Sequence, residues 1–240
     1  MKFIIVIYQW LIGGTFFFFF LLSSFLLTFI LPLKVMDPYV KWMLRATLHL
    51  LFIKVEMEGL EHLEPDKSYL FLPNHVSFLD IPLFGGYIPR YLRGVEDSRQ
   101  HKWPVYGWAM KRLGNITINR TSPRASMKSL KKAGDYIHAG CSIILFPEGG
   151  RTSDGNLRPF KKLPFHMAKQ AKVEIVPIAM TGMFEINKTK SLWVNPGVIK
   201  LVLGRPVGLD MIESLDTTAL KDHVREQVVS LFADNKSGQS

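Results

Sequence analysis

The sequence predicts an α/β domain with a mixed, largely parallel central sheet flanked by helices, preceded by an N-terminal hydrophobic membrane-anchoring helix. Three observations support this prediction: an uncharged apolar stretch at the N-terminus, short β-branched or aromatic runs that alternate with helical stretches, and the composition. With 48% hydrophobic and 21% charged residues, the 240-residue chain does not have the composition of a disordered protein.

The N-terminal stretch from Phe3 to Leu33 contains no Asp, Glu, Lys, Arg or His. As one helix it would be roughly 46 Å long, whereas the hydrocarbon core of a bilayer is about 30 Å thick. The helix must therefore tilt, or break at Gly13-Gly14 or near Pro32. A signal peptide has a shorter apolar region and a small-residue cleavage site, which this stretch lacks. We predict that residues 1–36 form a retained membrane anchor.

Residues 37–53 are predicted to form an amphipathic helix, because Asp37-Pro38 is a suitable start and apolar residues recur at helical spacing. With Trp42 and basic residues on it, this helix could lie at the membrane interface. Packing against the following α/β domain, residues 54–240, is the equal alternative. Basic residues flank the anchor unevenly, and this bias predicts that the domain lies on the cytoplasmic face. Lys2 precedes the anchor, and Lys34, Lys41 and Arg45 follow it.

The domain is predicted from strands and helices that alternate along the chain. The predicted strands are Ile53–Glu58, Tyr69–Pro73, Tyr91–Val95, Ile116–Asn119, Ser142–Pro147, Ile175–Met180 and Val198–Leu203. The predicted helices are Leu79–Tyr87, Pro104–Leu113, Arg124–His138, Phe165–Ala171 and Thr217–Phe232.

The chain has a formal net charge of +10 and one cysteine, Cys141. The positive charge favours an anionic partner, such as nucleic acid, an acidic membrane surface or a phosphorylated substrate. No nucleic-acid-binding module is recognisable and the anchor argues against one, so no nucleic acid is predicted. A single cysteine excludes an intrachain disulfide, and no cofactor or metal is predicted.

One candidate catalytic pair lies in the segment Asn74-His75-Val76-Ser77-Phe78-Leu79-Asp80, directly after a predicted strand. Ser77 is a good N-cap, and Asp80 three residues later fits a capping box. Asp80 would then point back along the chain and could meet His75. A carboxylate on one ring nitrogen fixes the tautomer, which leaves the other nitrogen free to act as a general base. The alternative is that Asp80 only caps the helix.

A second candidate segment is Phe146-Pro147-Glu148-Gly149-Gly150-Arg151, after another apolar strand. Backbone N–H groups around Gly149 could approach an anion closely, and Arg151 could bind a phosphate in bidentate fashion. A glycine turn with a solvated arginine is the alternative. Downstream basic residues could strengthen the positive field or form an ordinary solvated surface: Arg158, Lys161 and Lys162.

Two further segments complete the set. Gly114 to Arg120 is predicted to be a short strand with Arg120 at its end, either as a second phosphate ligand or as a surface residue. Val176-Pro177-Ile178 is an apolar strand in which the proline suggests a sheet edge or a strand end.

In this order, the four segments resemble the glycerolipid acyltransferase family typified by 1-acylglycerol-3-phosphate acyltransferase. Its Asn-His-x-Ser-x-x-Asp motif is matched by Asn74 to Asp80, and its Gly-led strand ending in Arg by Gly114 to Arg120. Its Phe-Pro-Glu-Gly-Thr/Ser-Arg motif is matched except at Gly150, and its Val-Pro-Ile strand by Val176 to Ile178. The resemblance covers about residues 55–205.

The sequence departs from the family at two places. Gly150 replaces the usual hydroxyl residue, so one hydrogen bond to the acceptor is lost. Where the family often carries a lysine before a Pro-x-x-Gly segment, this chain has Glu96-Asp97-Ser98. The sequence therefore does not identify which cation, if any, stabilises the thioester oxyanion. Three cations lie nearby in the sequence: Arg93, Arg99 and Lys102.

The resemblance implies acyl transfer from acyl-CoA or acyl-carrier protein to the free hydroxyl of a lysophospholipid such as lysophosphatidic acid, next to membrane lipids. His75 would be the base and Asp80 its orienting partner. The implied substrate-binding residues are Asn74, Ser77, Arg120, Glu148, Gly149 and Arg151. Glu148 would position the acceptor or organise the arginines. A different lysolipid acceptor, or a membrane module that binds anionic lipids without catalysis, are the alternatives.

Overall fold

The computed structural model describes residues 2–118 and 123–237, without the side chains at 2–3, 123–125 and 234–237. The described part of the chain contains a seven-stranded sheet. Its strands are β1 (Ile53–Glu58), β2 (Leu70–Pro73), β3 (Leu92–Asp97), β4 (Ile116–Ile118), β5 (Ser142–Ile144), β6 (Ile175–Thr181) and β7 (Gly197–Leu203).

The helices lie before, between and after these strands. They are α1 (Lys2–Tyr8), α2 (Thr15–Leu27), α3 (Leu33–Leu50), α4 (Asp80–Tyr87), α5 (Tyr106–Arg112), α6 (Pro123–His138), α7 (Leu163–Ala171), α8 (Met183–Ile186), α9 (Leu209–Ser214) and α10 (Thr217–Ser237). A π-helical segment, Gln9–Gly14, joins α1 to α2.

The sheet is mixed and largely parallel, which confirms the predicted fold class. Its strand order is β1-β7-β6-β2-β5-β3-β4. The five strands from β6 to β4 are parallel, whereas β7 is antiparallel to β6 and β1 is parallel to β7. The carboxyl ends of β2, β5 and β6 therefore meet at one edge of the sheet, and the loops that follow them are neighbours.

Apolar side chains on both faces of the sheet hold it between helices. In β2, Phe71 joins the cluster on one face, and Leu70 and Leu72 join the cluster on the other. All four residues of this strand are buried, as expected for the middle of an α/β sheet. The core thus fixes the strand whose end carries the Asn74–Asp80 segment.

The sequence predicts a sheet edge or a strand end at Pro177. The edge alternative is wrong because β6 lies inside the sheet, and Pro177 is the third residue of β6. Pro177 is tolerated there because it lies at the end of the antiparallel hydrogen-bond ladder between β6 and β7. Its carbonyl accepts a hydrogen bond from the Gly204 N–H (2.8 Å), just beyond the final pair Ile178–Leu203. The missing proline N–H therefore costs one bond at the end of the antiparallel ladder.

The helix α3 begins at Leu33, four residues before the predicted start at Asp37. Pro32 has extended backbone and acts as the N-cap, so Pro38 lies inside the helix. There it removes a single intrahelical hydrogen bond, which the other contacts of α3 offset. Met43, Leu44 and Leu48 are buried against the protein, while Trp42 is exposed on the opposite side of the helix.

The N-terminal helix Ile4–Leu27 is long and apolar enough, by length and composition, to cross a membrane. It continues through Gly13-Gly14 as a π-helical segment without a break, and it ends before Pro32, the other place where the sequence predicts one. Phe20 and Leu21 pack in a cluster with residues of α3 and α5. Much of the rest is exposed, and its most apolar part is only 22% buried.

Candidate active site

The candidate site lies at the sheet edge where β2, β5 and β6 end. The loop after β2 carries His75, and the segment after β5 carries Phe146 and Glu148. The backbone links the two segments, since the Thr152 N–H donates to the His75 carbonyl (2.9 Å). Two segments some seventy residues apart in sequence are thus hydrogen-bonded to each other at the candidate site.

His75 and Asp80 are in direct contact, as the sequence predicted. The His75 Nδ1 lies 2.6 Å from the Asp80 Oδ2. The same oxygen accepts the backbone N–H groups of Val76 (2.8 Å) and Ser77 (3.1 Å), so the carboxylate also closes the turn before α4. Asp80 therefore contacts both the His75 ring and the backbone of the turn. The prediction that Ser77 is the N-cap is wrong, because α4 begins at Asp80 with Leu79 as its N-cap. Because a carboxylate only accepts hydrogen bonds, Nδ1 carries the proton and Nε2 is the basic nitrogen.

The surroundings of the imidazole fix its orientation. Its ring stacks on Phe146, with ring centroids 3.9 Å apart and planes 17° from parallel. Asp80 is fully buried, whereas the His75 side chain is 18% exposed. The inner edge of the ring is held by protein, and its outer edge can meet a substrate.

Glu148 is buried and joins two loops through its carboxylate. Its Oε1 accepts the His75 N–H (2.7 Å) and its Oε2 accepts the Arg158 N–H (2.9 Å). Burial raises the pKa of Glu148 to about 7, although both amide donors and the Arg158 charge oppose that rise. Both carboxylate oxygens are engaged, so the geometry supports an organising role for Glu148 over direct contact with an acceptor.

Asn74 and Ser77, predicted from the resemblance to bind substrate, are buried with partners inside the protein. The Asn74 side chain donates to the Met180 carbonyl (3.1 Å) and accepts the Met180 N–H (2.8 Å), tying the end of β2 to β6. The Ser77 hydroxyl donates to the Asn187 Oδ1 (2.6 Å) and accepts the Leu79 N–H (3.1 Å). These contacts support the loop that carries His75.

The glycine turn also differs from the simplest expectation. Gly149 has φ +72°, a conformation that favours glycine. Its N–H donates to the Phe146 carbonyl (3.1 Å), so it closes the turn and is not held open for an anion. Arg151 is exposed next to this turn, and the predicted ligand Arg120 lies outside the described residues.

Two of the three cations considered for the oxyanion are engaged elsewhere. Arg93 is buried, and its guanidinium donates to the Leu92 carbonyl (2.6 Å) and the Tyr91 hydroxyl (2.7 Å). Arg99 pairs with Asp97 at the surface (2.9 Å). Lys102 is exposed.

Residues that no motif indicated also support the site. The Asn187 Oδ1 accepts a hydrogen bond from the Ser77 hydroxyl, and its Nδ2 donates to the carbonyls of Ser191 (3.1 Å) and Trp193 (2.8 Å). The Thr189 Oγ1 lies 2.9 Å from the Val76 carbonyl and 2.5 Å from the Thr152 carbonyl. Both residues lie in an irregular loop after α8, whose local sequence carries no signal for these long-range contacts.

Comparison with known proteins gives one family for this geometry. An acyltransferase family model matches residues 54–181, which is more than half of the chain. A chloroplast 1-acyl-sn-glycerol-3-phosphate acyltransferase of Brassica napus is 34% identical over 158 residues, covering 65% of this chain and 46% of that protein. An enzyme of the same name from Chlamydomonas reinhardtii is 35% identical over 155 residues (63% and 46%). The chain spans about half the length of these curated relatives.

A solved structure has the same fold. It is the 1-acyl-sn-glycerophosphate acyltransferase PlsC of Thermotoga maritima, with a TM-score of 0.84 over 98% of this chain and 96% of that one. The two sequences are 22% identical, so this likeness concerns the fold.

Proposed function

The chain belongs to the acyltransferase family, and from this premise we propose that it transfers a fatty acyl group to the free hydroxyl of lysophosphatidic acid, giving phosphatidic acid. The observation that carries the proposal is the contact between His75 and Asp80 at the open edge of the sheet. The names of its relatives support the acceptor. The donor is a thioester, acyl-CoA or acyl-carrier protein.

In this mechanism the His75 Nε2 takes the proton of the acceptor hydroxyl while that oxygen attacks the thioester carbonyl. A C–O ester bond forms, the C–S bond breaks, and the proton leaves with the thiol. Asp80 keeps the proton on Nδ1 and stabilises the imidazolium that forms transiently. Asn74, Ser77 and Glu148 position the loops. The exposed Arg151 attracts the acceptor phosphate, and the sequence assigns the same role to Arg120.

A covalent acyl-enzyme is not part of the mechanism. The sequence has no Gly-x-Ser-x-Gly segment, and Cys141 is 4% exposed. Burial raises the pKa of the Cys141 thiol to about 11, so a reactive thiolate is disfavoured near neutral pH.

We further propose that the protein is membrane-bound through its N-terminal helix, with the domain on the cytoplasmic face. The helix contacts the domain near both ends, since Tyr8 stacks on Phe52 (5.6 Å) and Phe25 lies beside Trp108 (6.2 Å). Its outward residues include Ile4, Leu11 and Phe19, exposed by 71%, 63% and 59%. An apolar surface of this kind suits an enzyme whose acceptor and product are both lipids.

The test is turnover. Purified protein is given lysophosphatidic acid, or other lysophospholipids, together with acyl-CoA or acyl-carrier protein, and thiol release is followed. We expect turnover with lysophosphatidic acid and at least one donor. Turnover only with another lysolipid would show that the acceptor is that lipid and not lysophosphatidic acid. No turnover in any combination would contradict the enzyme and favour a module that binds lipids without catalysis.

A further inference from the structure

Gly150 stands where the family motif has a hydroxyl residue, and its backbone does not require glycine. Gly149 has a positive φ, whereas Gly150 is not among the residues in that region. A side chain at position 150 would therefore meet no backbone strain. What it would meet is Arg158, whose Nη1 lies 2.9 Å from the place a Cβ would occupy.

The segment that carries Arg158 runs beside the glycine turn and is fixed to it. The Arg158 N–H donates to the buried Glu148 carboxylate (2.9 Å), and the Lys161 N–H donates to the Pro147 carbonyl (2.8 Å). The Arg158 Nη1 donates to the Arg151 carbonyl (3.3 Å). The Glu148 carboxylate thus connects the backbone N–H of Arg158 with the backbone N–H of His75.

The Arg158 side chain is nonetheless exposed. Within the described parts of the chain, its guanidinium has one hydrogen-bond partner, the Arg151 carbonyl. A guanidinium placed over a glycine turn offers a bidentate, permanently charged fork to an anion, where a serine or threonine hydroxyl would offer a single neutral donor.

We propose that the Arg158 guanidinium takes the place of the side chain missing at position 150 and binds the phosphate of the acceptor. This inference rests on the proposed function. A phosphate monoester carries about −1.5 to −2 charges at pH 7, whereas a phosphodiester carries one. Arg158 therefore favours a lysolipid with a terminal phosphate over one whose phosphate is esterified to a headgroup.

The test compares kcat/KM for lysophosphatidic acid with kcat/KM for lysophosphatidylglycerol. In R158A we expect the ratio of the two values to fall about tenfold, mainly through KM for lysophosphatidic acid. R158K should recover part of the ratio, because lysine keeps the charge and loses the bidentate fork. The control R205A removes an exposed arginine after β7, at the opposite end of β6, and should keep the wild-type ratio.

A double-mutant cycle tests the link with position 150. G150T alone should lower the ratio, since its Cβ displaces the guanidinium. In the R158A background the same substitution should cost nothing or restore part of the ratio. If wild-type protein uses lysophosphatidic acid but R158A keeps the ratio within twofold, or if G150T costs the same in both backgrounds, this inference fails alone. If wild-type protein uses neither acceptor, the proposed function fails first.

Discussion

At residue scale, three contacts hold His75, two at its ring and one at its backbone. Asp80 accepts its Nδ1 proton, Phe146 stacks on its face, and Glu148 accepts its backbone N–H. Each contact restrains a different freedom: the tautomer, the side-chain rotation and the position of the loop. A general base works only when its free nitrogen is placed in advance, so these contacts are what the proposed chemistry needs.

Replacing Asp80 with asparagine tests the tautomer. The amide fills the same volume but can donate to Nδ1, which would move the proton of His75 to Nε2. We expect D80N to lower kcat for thiol release by about 10²–10⁴-fold while the fold is retained. A variant with normal near-ultraviolet circular dichroism and a kcat within threefold of wild type would show that Asp80 only closes the turn.

Glu148 predicts opposite effects of pH on activity and on stability. Because burial raises its pKa from 4.5 to about 7, the folded protein binds an extra proton between those values. Acidification from pH 7 to 5 should therefore stabilise the fold through this group, by at most about 3 kcal/mol. Activity should fall over the same range, since a protonated carboxyl accepts one of the two backbone N–H groups less well.

The measurement is the free energy of unfolding as a function of pH for wild-type protein and E148Q. Other titrating groups, including the buried Glu96, are common to both proteins and cancel in the difference. The stabilisation on acidification should be absent in E148Q. Parallel pH dependences would mean that Glu148 has an ordinary pKa in the folded protein.

At the scale of elements, the end of β2 is tied to β6 by the reciprocal bonds between Asn74 and Met180. In N74A a buried N–H and a buried carbonyl lose their partners, which costs about 1–3 kcal/mol each. We expect a lower free energy of unfolding in denaturant titration. The control N156A removes an exposed side chain that contacts Asp154 and should lie within about 0.5 kcal/mol of wild type. Equal free energies of unfolding for N74A and wild type would show that the Asn74–Met180 hydrogen bonds do not stabilise the fold.

The elements were largely predictable because their signals are local. Strand β1 has the predicted bounds, and the other strands and longer helices lie within a few residues of theirs. The pair His75–Asp80 was predictable for the same reason, since the two residues are five positions apart in one turn. Contacts that join distant segments were not predictable. Nothing in the sequence near Asn187 indicates that it meets Ser77, 110 positions away.

Pro177 and Gly150 illustrate two further limits. Proline suggested an edge strand, but the cost of proline depends on which way its missing N–H points, and the sheet register decides that. From the sequence, Gly150 is only the loss of a hydroxyl group. The structure gives its space to Arg158, which lies eight residues further along the chain.

At the scale of the whole molecule, the N-terminal helix covers one side of the domain and leaves an apolar surface outward. Phe19 is 59% exposed and Ile30, in the turn after α2, is 78% exposed. The double substitution F19K/I30K should lower the partition coefficient into zwitterionic vesicles at least about tenfold, because each charge opposes burial in the bilayer and uncharged headgroups do not attract the lysines. The control V229K changes an exposed valine on α10 and should partition normally. Equal partitioning of all three proteins would contradict the proposal that this apolar surface contacts the membrane.

Acyl transfer by an imidazole base is the central claim, and thiol release by H75A tests it most directly. Wild-type protein and the control H223A, which changes a histidine of α10, should turn over lysophosphatidic acid with a thioester donor. H75A should lose about 10²–10⁴-fold in kcat, since no base then faces the acceptor hydroxyl. Turnover by folded H75A within a few-fold of wild type would contradict the account.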